Sequence, residues 1–217
     1  MDSPFYRNRK VWRPVIFSLF LFLSLPNSAI SLEERDQSPM DRREEKLKAF
    51  RDKRDKFFKE ESGSPLKETD RKRFKGLSYY PIDLRFAMVG VIERYPSEPK
   101  PLYANLPVSN GKEKKYVKYG RFGFRWERKD YLLQIYRALG GSELFLPFKD
   151  KTSGEETHPG GRYLHIEQMP GGRVLIDFNR AYNPFCEFNK KYTCPLPARE
   201  NWLPFAVRAG EKRFKPS

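Results

Sequence analysis

Groups suited to acid, base, anion-binding and thiol chemistry crowd one stretch of this chain, Phe145 to Asn201, between glycine and proline turns. Its polar set is Asp150, Arg162, Asp177, Asn179, Arg180, Tyr182, Asn183, Glu200 and Asn201. In a concave pocket an arginine grips a carboxylate or phosphate through paired hydrogen bonds, while amides and acids take sugar hydroxyls. Alternatively Asp177 and Glu200 act as acid and base of a hydrolase beside Arg162, which requires one acid of raised pKa. A structural role competes with both. In it Asp150 and Asp177 pair with Arg162 and Arg180, while Asn179 and Asn183 satisfy backbone groups in proline-rich loops.

Cys186 and Cys194 are the two cysteines. If the chain is exported, a bridge between them closes a short loop and contributes roughly 2–3 kcal/mol by chain entropy. A nucleophilic thiol is one alternative, and a zinc site shared with His158 and His165 is another. The spacings are not those of known zinc-ligand pairs, so no metal is assigned. No cofactor is assigned either: Gly160-Gly161 precedes a strand and not a helix, so it reads as a turn and not as a phosphate loop.

The elements that must position these groups read as β. Asp83 to Tyr95 is apolar and β-branched, as in a strand buried on much of both faces. Leu102 to Val108 and Lys115 to Tyr119 flank Asn110-Gly111, a strong hairpin signal. Phe122, Phe124 and Trp126 alternate with Arg121, Gly123, Arg125 and Glu127, and Tyr131 to Tyr136 follows as the next strand. Tyr163 to Glu167 and Val174 to Asn179 alternate on either side of Pro170-Gly171-Gly172, a second hairpin. The spacing predicts an all-β domain over residues 76–217, a sandwich or barrel of about eight or nine mostly antiparallel strands.

Upstream of it, residues 32–75 read as one charged helix and a connection. Ser38-Pro39-Met40-Asp41 is a helix start, and Met40, Leu47, Phe50 and Phe57 form a narrow stripe that predicts docking against the β domain. Residues 1–31 have the form of a signal peptide: Arg7, Arg9, Lys10 and Arg13 precede the apolar run from Val15 to Leu25, Pro26 breaks it, and Ala29-Ile30-Ser31 offers cleavage after Ser31 or Ala29. The expectation is an exported protein, periplasmic or secreted, with membrane attachment only through an uncleaved signal segment. The net charge of +15 over 217 residues suits anionic partners or is a solubility trait.

Several motifs, in order, carry a resemblance: Phe-Lys-Gly-Leu at 74–77, Leu-Phe-Leu-Pro-Phe-Lys-Asp at 144–150, Gly-Gly-Arg-Tyr-Leu at 160–164, Asp-Phe-Asn-Arg-Ala-Tyr-Asn-Pro at 177–184, Cys-Pro-Leu-Pro at 194–197 and Ala-Gly-Glu-Lys at 209–212. Over roughly 45–214 the chain resembles a widespread bacterial family known as domain of unknown function 1684 (DUF1684), in its two cysteines as well. The resemblance implies no activity or cofactor. It departs at His158, where the family tends to tyrosine, and at His165, where an acid is commoner, which implies that neither histidine is central to a shared mechanism. A nucleophilic thiol would then take Asp177 or Glu200 as base.

Three function classes follow, and whether the protein is an enzyme stays open. First is a binding module for a small anionic or polyhydroxylated ligand in a pocket built from 145–201. Second is the hydrolase. Third, disfavoured by export, is a nucleic-acid or anionic-surface binder that uses Tyr116, Tyr119, Phe122 and Phe124 with Lys118, Arg121 and Arg125. For the first two, Arg162, Asp177, Asn179 and Glu200 are expected in one neighbourhood, with Arg162 shared between an acid and a ligand.

Overall fold

The computed structural model describes residues 38–214; the apolar leader lies outside them. Helix α1 (Pro39–Glu60) opens at the expected place. Ser38 Oγ accepts from Asp41 N–H at 3.1 Å and the Asp41 carboxylate accepts from Ser38 N–H at 3.2 Å, so two backbone donors of the first turn are satisfied reciprocally. Met40 is exposed, and Phe58 takes the anchoring place expected of Phe57. The reason lies downstream: Leu66, Phe74 and Phe188 enclose Phe58 in a small second core, with Phe57 at its margin. Phe74 follows a short helix the sequence reading had not separated, α2 (Glu68–Arg73). Lys59 Nζ donates to the carbonyls of Arg71, Lys72 and Phe74 at 3.0–3.2 Å and so ties the end of α2 to α1.

Eight strands follow: β1 (Ala87–Arg94), β2 (Tyr103–Pro107), β3 (Glu113–Trp126), β4 (Lys129–Ala138), β5 (Leu144–Phe148), β6 (Arg162–His165), β7 (Glu167–Gln168) and β8 (Arg173–Asp177). They form one sheet in the order β6-β5-β4-β3-β1-β8-β7, with β2 on β3. The sheet curls into a nearly closed barrel. Its two end strands, β6 and β7, are separated in the chain only by Ile166. Phe122, Leu133, Ile135, Leu146, Phe148, Leu164, Ile176 and Phe178 fill the interior.

Both hairpins form, β2–β3 around Asn110-Gly111 and β7–β8 around Pro170-Gly171-Gly172. Three details differ from the pattern reading. Residues 84–86 make a 3-10 turn, and β1 leaves Val89 and Val91 exposed, so only its other face is partly buried. Lys115–Tyr119 and Phe122–Trp126 belong to one long strand, β3, bent where its register against β4 shifts between Lys118 and Gly120. There β1 passes so close that a Cβ on Gly120 would lie 2.4 Å from the carbonyl oxygen of Glu93. The run from Tyr163 to Glu167 divides at Ile166, one half pairing with β5 and the other with β8. Phe178 and Asn179 leave the sheet in a 3-10 turn.

Candidate functional site

The polar set resolves into three separate places. On β6, Arg162 is fully enclosed, and its guanidinium donates to the carbonyls of Val207 (2.7 Å), Ala209 (2.5 Å) and Glu211 (3.2 Å). Asp150 Oδ2 lies 3.6 Å from Arg162 and accepts from Val207 N–H at 2.6 Å. The pair therefore clamps the C-terminal strap, residues 207–211, onto the barrel. Asn183 adds to the clamp, through its backbone N–H to Glu211 Oε2 (2.8 Å) and its amide to the Lys212 carbonyl (2.7 Å).

Asp177 and Asn179 share a second place. Asp177 Oδ1 accepts from the backbone and side-chain N–H groups of Asn179 at 3.0 and 2.8 Å, and Asn179 pairs with the backbone of Asp83 in both directions. The other oxygen of Asp177 faces Arg43 of α1 at 3.3 Å. A third place lies over β4. The Asn201 amide bridges Gln134 and Pro147, while Glu200 accepts from the Tyr136 hydroxyl at 3.2 Å and lies 3.8 Å from Lys118. Among the described residues no hydrogen bond or ion pair joins Arg162 to Asp177 or Glu200. The expected four-residue neighbourhood is not assembled, because the turn at 178–180 sends Asn179 toward Asp83 while Arg162 points under the strap.

The expected basic aromatic sheet face is also differently built. Tyr116 and Phe122 are buried, and Arg121 and Arg125 are paired with Glu93 and Asp130.

The two cysteines are brought together as free thiols. Cys186 N–H donates to Cys194 Sγ at 3.2 Å. His158 Nε2 lies 3.9 Å from Cys186 Sγ, and His158 Nδ1 lies 2.5 Å from Glu187 Oε2. The Cys186 thiol and backbone N–H donated to Cys194, aided by nearby His158, outweigh burial and pull that thiol down to about 7. The same thiol pair pushes Cys186 up. His165 is elsewhere, its Nε2 2.6 Å from the Tyr182 hydroxyl. The Cys₂His₂ set is thus not gathered, and no group of three His, Cys, Asp or Glu among the described residues is placed to hold a metal.

A cleft of about 490 Å³ opens between α1 and the β6 end of the barrel. Phe50 and Phe57 of α1 face Leu164, Tyr182 and Phe185 across it, and Lys53, Arg54, Arg180 and His165 supply polar groups. The guanidinium of Arg54 lies 4.7 Å from the centre of the Tyr182 ring and pairs with buried Glu211; that of Arg180 lies 4.7 Å from the Phe50 ring and 2.7 Å from Glu167. Burial opposes the charge of Arg54, but Glu211 more than offsets this and the Arg54 pKa rises; burial pushes Glu211 up despite Arg54. A second hollow of about 470 Å³ continues along α1, sharing Phe50 and Arg180. Together they place six cationic residues, Arg42, Arg43, Lys46, Lys53, Arg54 and Arg180, against the acids Glu167 and Asp177. Burial, reinforced by Arg54 and Arg180, holds His165 below its ordinary value, against the pull of Glu143.

Sequence reasoning missed Phe50, Lys53 and Arg54 as lining residues, although their spacing puts them on one flank of α1. It also missed Glu187, whose signal was its position next to Cys186.

The barrel and its loops are matched by known proteins. A solution structure of the uncharacterized protein from gene locus rrnAC0354 of Haloarcula marismortui superposes with a TM-score of 0.61 at 32% identity, covering 80% of this chain and 95% of that one. A search of curated proteins finds no match. The model of the family described as "Protein of unknown function (DUF1684)" matches residues 72–212, and the chain belongs to that family.

Proposed function

We propose that the protein binds a small amphipathic anion, an aromatic or acyl carboxylate or phosphate, in the cleft between α1 and the barrel. The observation that carries this reading is the lining itself: Phe50, Phe57, Tyr182 and Phe185 accept an apolar body, and Lys53 and the two arginines stand where its charged end would lie. Lys53 is exposed and has no acidic partner among the described residues, so its charge is free for a ligand. Five of the nine lining residues come from the stretch 145–201 that the sequence singled out. The leader read at residues 1–31 supports a site facing the outside of the cytoplasm.

The test is a fluorescence titration with 8-anilinonaphthalene-1-sulfonate, competed by decanoate and by phenyl phosphate. Saturable binding that Lys53→Glu weakens roughly tenfold or more, with unchanged melting temperature, is the expected result. Equal affinity in wild type, Lys53→Glu and Phe50→Ala would overturn the assignment.

A further inference from the structure

Neither cysteine lines the cleft, although Phe185, the neighbour of Cys186, does, and the surroundings of the pair are more organised than a structural bridge needs. Each member is positioned by its own contacts. Cys186 sits in a 3-10 turn after Pro184 and is partly open to solvent, whereas Cys194 is buried. Cys194 N–H donates to Ser109 Oγ at 3.1 Å and its carbonyl accepts from Ser109 N–H at 2.9 Å, so it is stitched to the β2–β3 hairpin. Between them Phe188 is locked against Phe58. The carboxylate of Glu187 also accepts from Phe214 N–H at 3.0 Å. Because a carboxylate accepts, the proton of neutral His158 resides on Nδ1, and the Nε2 lone pair is left toward Cys186. Gly160 keeps that edge clear: a Cβ there would fall 2.8 Å from His158 Nε2.

We propose that Cys186 and Cys194 are a redox-active dithiol that exchanges with small-molecule disulfides, with His158, oriented by Glu187, as the proton acceptor. The steps balance. Cys186 gives its proton to His158 Nε2, and its sulfur attacks one sulfur of the disulfide R–S–S–R. One S–S bond forms and one breaks, and RS⁻ leaves. The Cys194 thiolate then attacks the Cys186 sulfur of the mixed disulfide, forms the Cys186–Cys194 bond and expels the second RS⁻. The protons lost by the two thiols end on the two RS⁻ groups, one of them through His158. The protein is oxidised by two electrons and the small disulfide is reduced to two thiols. Cys194 Sγ, held 3.2 Å from the Cys186 backbone N–H, is placed for the resolving step. Solvent access suits Cys186 to the first.

The experiment exposes the reduced full-length chain to oxidised glutathione at pH 7, follows it by intact mass and by alkylation of free thiols, and then adds excess reduced glutathione. Wild type is expected to lose two alkylatable thiols as one internal bond and to regain both without unfolding. Cys194→Ser is expected to stop at a glutathione adduct on Cys186. His158→Gln is expected to slow the first step on the order of tenfold or more at pH 7, with the deficit shrinking as pH rises and the final oxidised fraction unchanged. A bond that excess reduced glutathione cannot open in the folded protein would make the pair a structural bridge and overturn the proposal. Failure to form the bond, no adduct in Cys194→Ser, or a His158→Gln rate equal to wild type would overturn it too.

Discussion

Arg162 and Asp150 face each other at 3.6 Å with 0% and 1% of their side chains exposed, so the charge of each is satisfied inside the protein alone. Removing one partner of such a pair leaves an uncompensated buried charge, which costs about 3–5 kcal/mol. Arg162→Ala is therefore expected to lower unfolding stability by about that amount in urea denaturation. Arg162→Lys is expected to restore little, because one ammonium cannot reach the three carbonyls that the planar guanidinium spans. Lys118→Ala, at a partly exposed pair with Glu200, is expected to cost less than about 1 kcal/mol. A stable Arg162→Ala protein would show that the strap is held by other means.

His165 gives the cleft a pH dependence. Burial and the two arginines hold it neutral at pH 7, and protonation adds a positive charge beside a bound anion. Affinity for the permanently charged anilinonaphthalene sulfonate is therefore expected to rise as pH falls below the ordinary histidine range. The side chain is half exposed, so the gain is limited to roughly fivefold, the upper end for such a pair. Titrations at pH 7.5 and 5.5 check this, and His165→Phe is expected to flatten the difference. A wild-type affinity that weakens on acidification would contradict the sign.

Gly120 sits where β1 and β3 cross closely. A methyl group there would meet the Glu93 carbonyl and the Ile92 side chain, at 2.4 and 2.6 Å. Backbone cannot swing aside as a side chain can, so β1 and β3 must separate. Gly120→Ala is expected to lose about 1–3 kcal/mol, measured by thermal and urea unfolding. The same substitution at Gly111, whose added Cβ would meet nothing within 4 Å, acts only through its positive φ at the hairpin tip; it is expected to leave the barrel core intact.

Much of the scaffold was legible because it depends on local signals. Ser38-Pro39 with Asp41 states a helix start within four residues, and Asn110-Gly111 states a hairpin within two. Alternation carried the inward faces of the second half of β3, of β6 and of β8. What failed were inferences that need distance. Nothing local in Tyr163–Glu167 tells that Ile166 divides it between two partners, and nothing in Arg162 tells that residues 207–211 will come back over it. The cleft was hidden for the same reason: Phe50 and Lys53 acquire a role only once the helix lies against Tyr182 and Phe185, some 130 positions later. Likewise Cys186 and Cys194 were visible as a pair, but the Glu187–His158 contact that organises them depends on a loop folding back across 29 positions.

The short link at Ile166 bears on how this protein meets copies of itself. An open sheet offers its terminal strands as templates on which another chain can add, and long bare rims invite strand-by-strand growth into fibres. Here β7 is two residues long. The rim of β6 is already occupied, since Tyr163 and Tyr182 exchange backbone hydrogen bonds of 2.9 Å in both directions. At these two ends a neighbouring chain therefore meets no long vacant ladder, and growth on β6 would first have to strip Tyr182 from it.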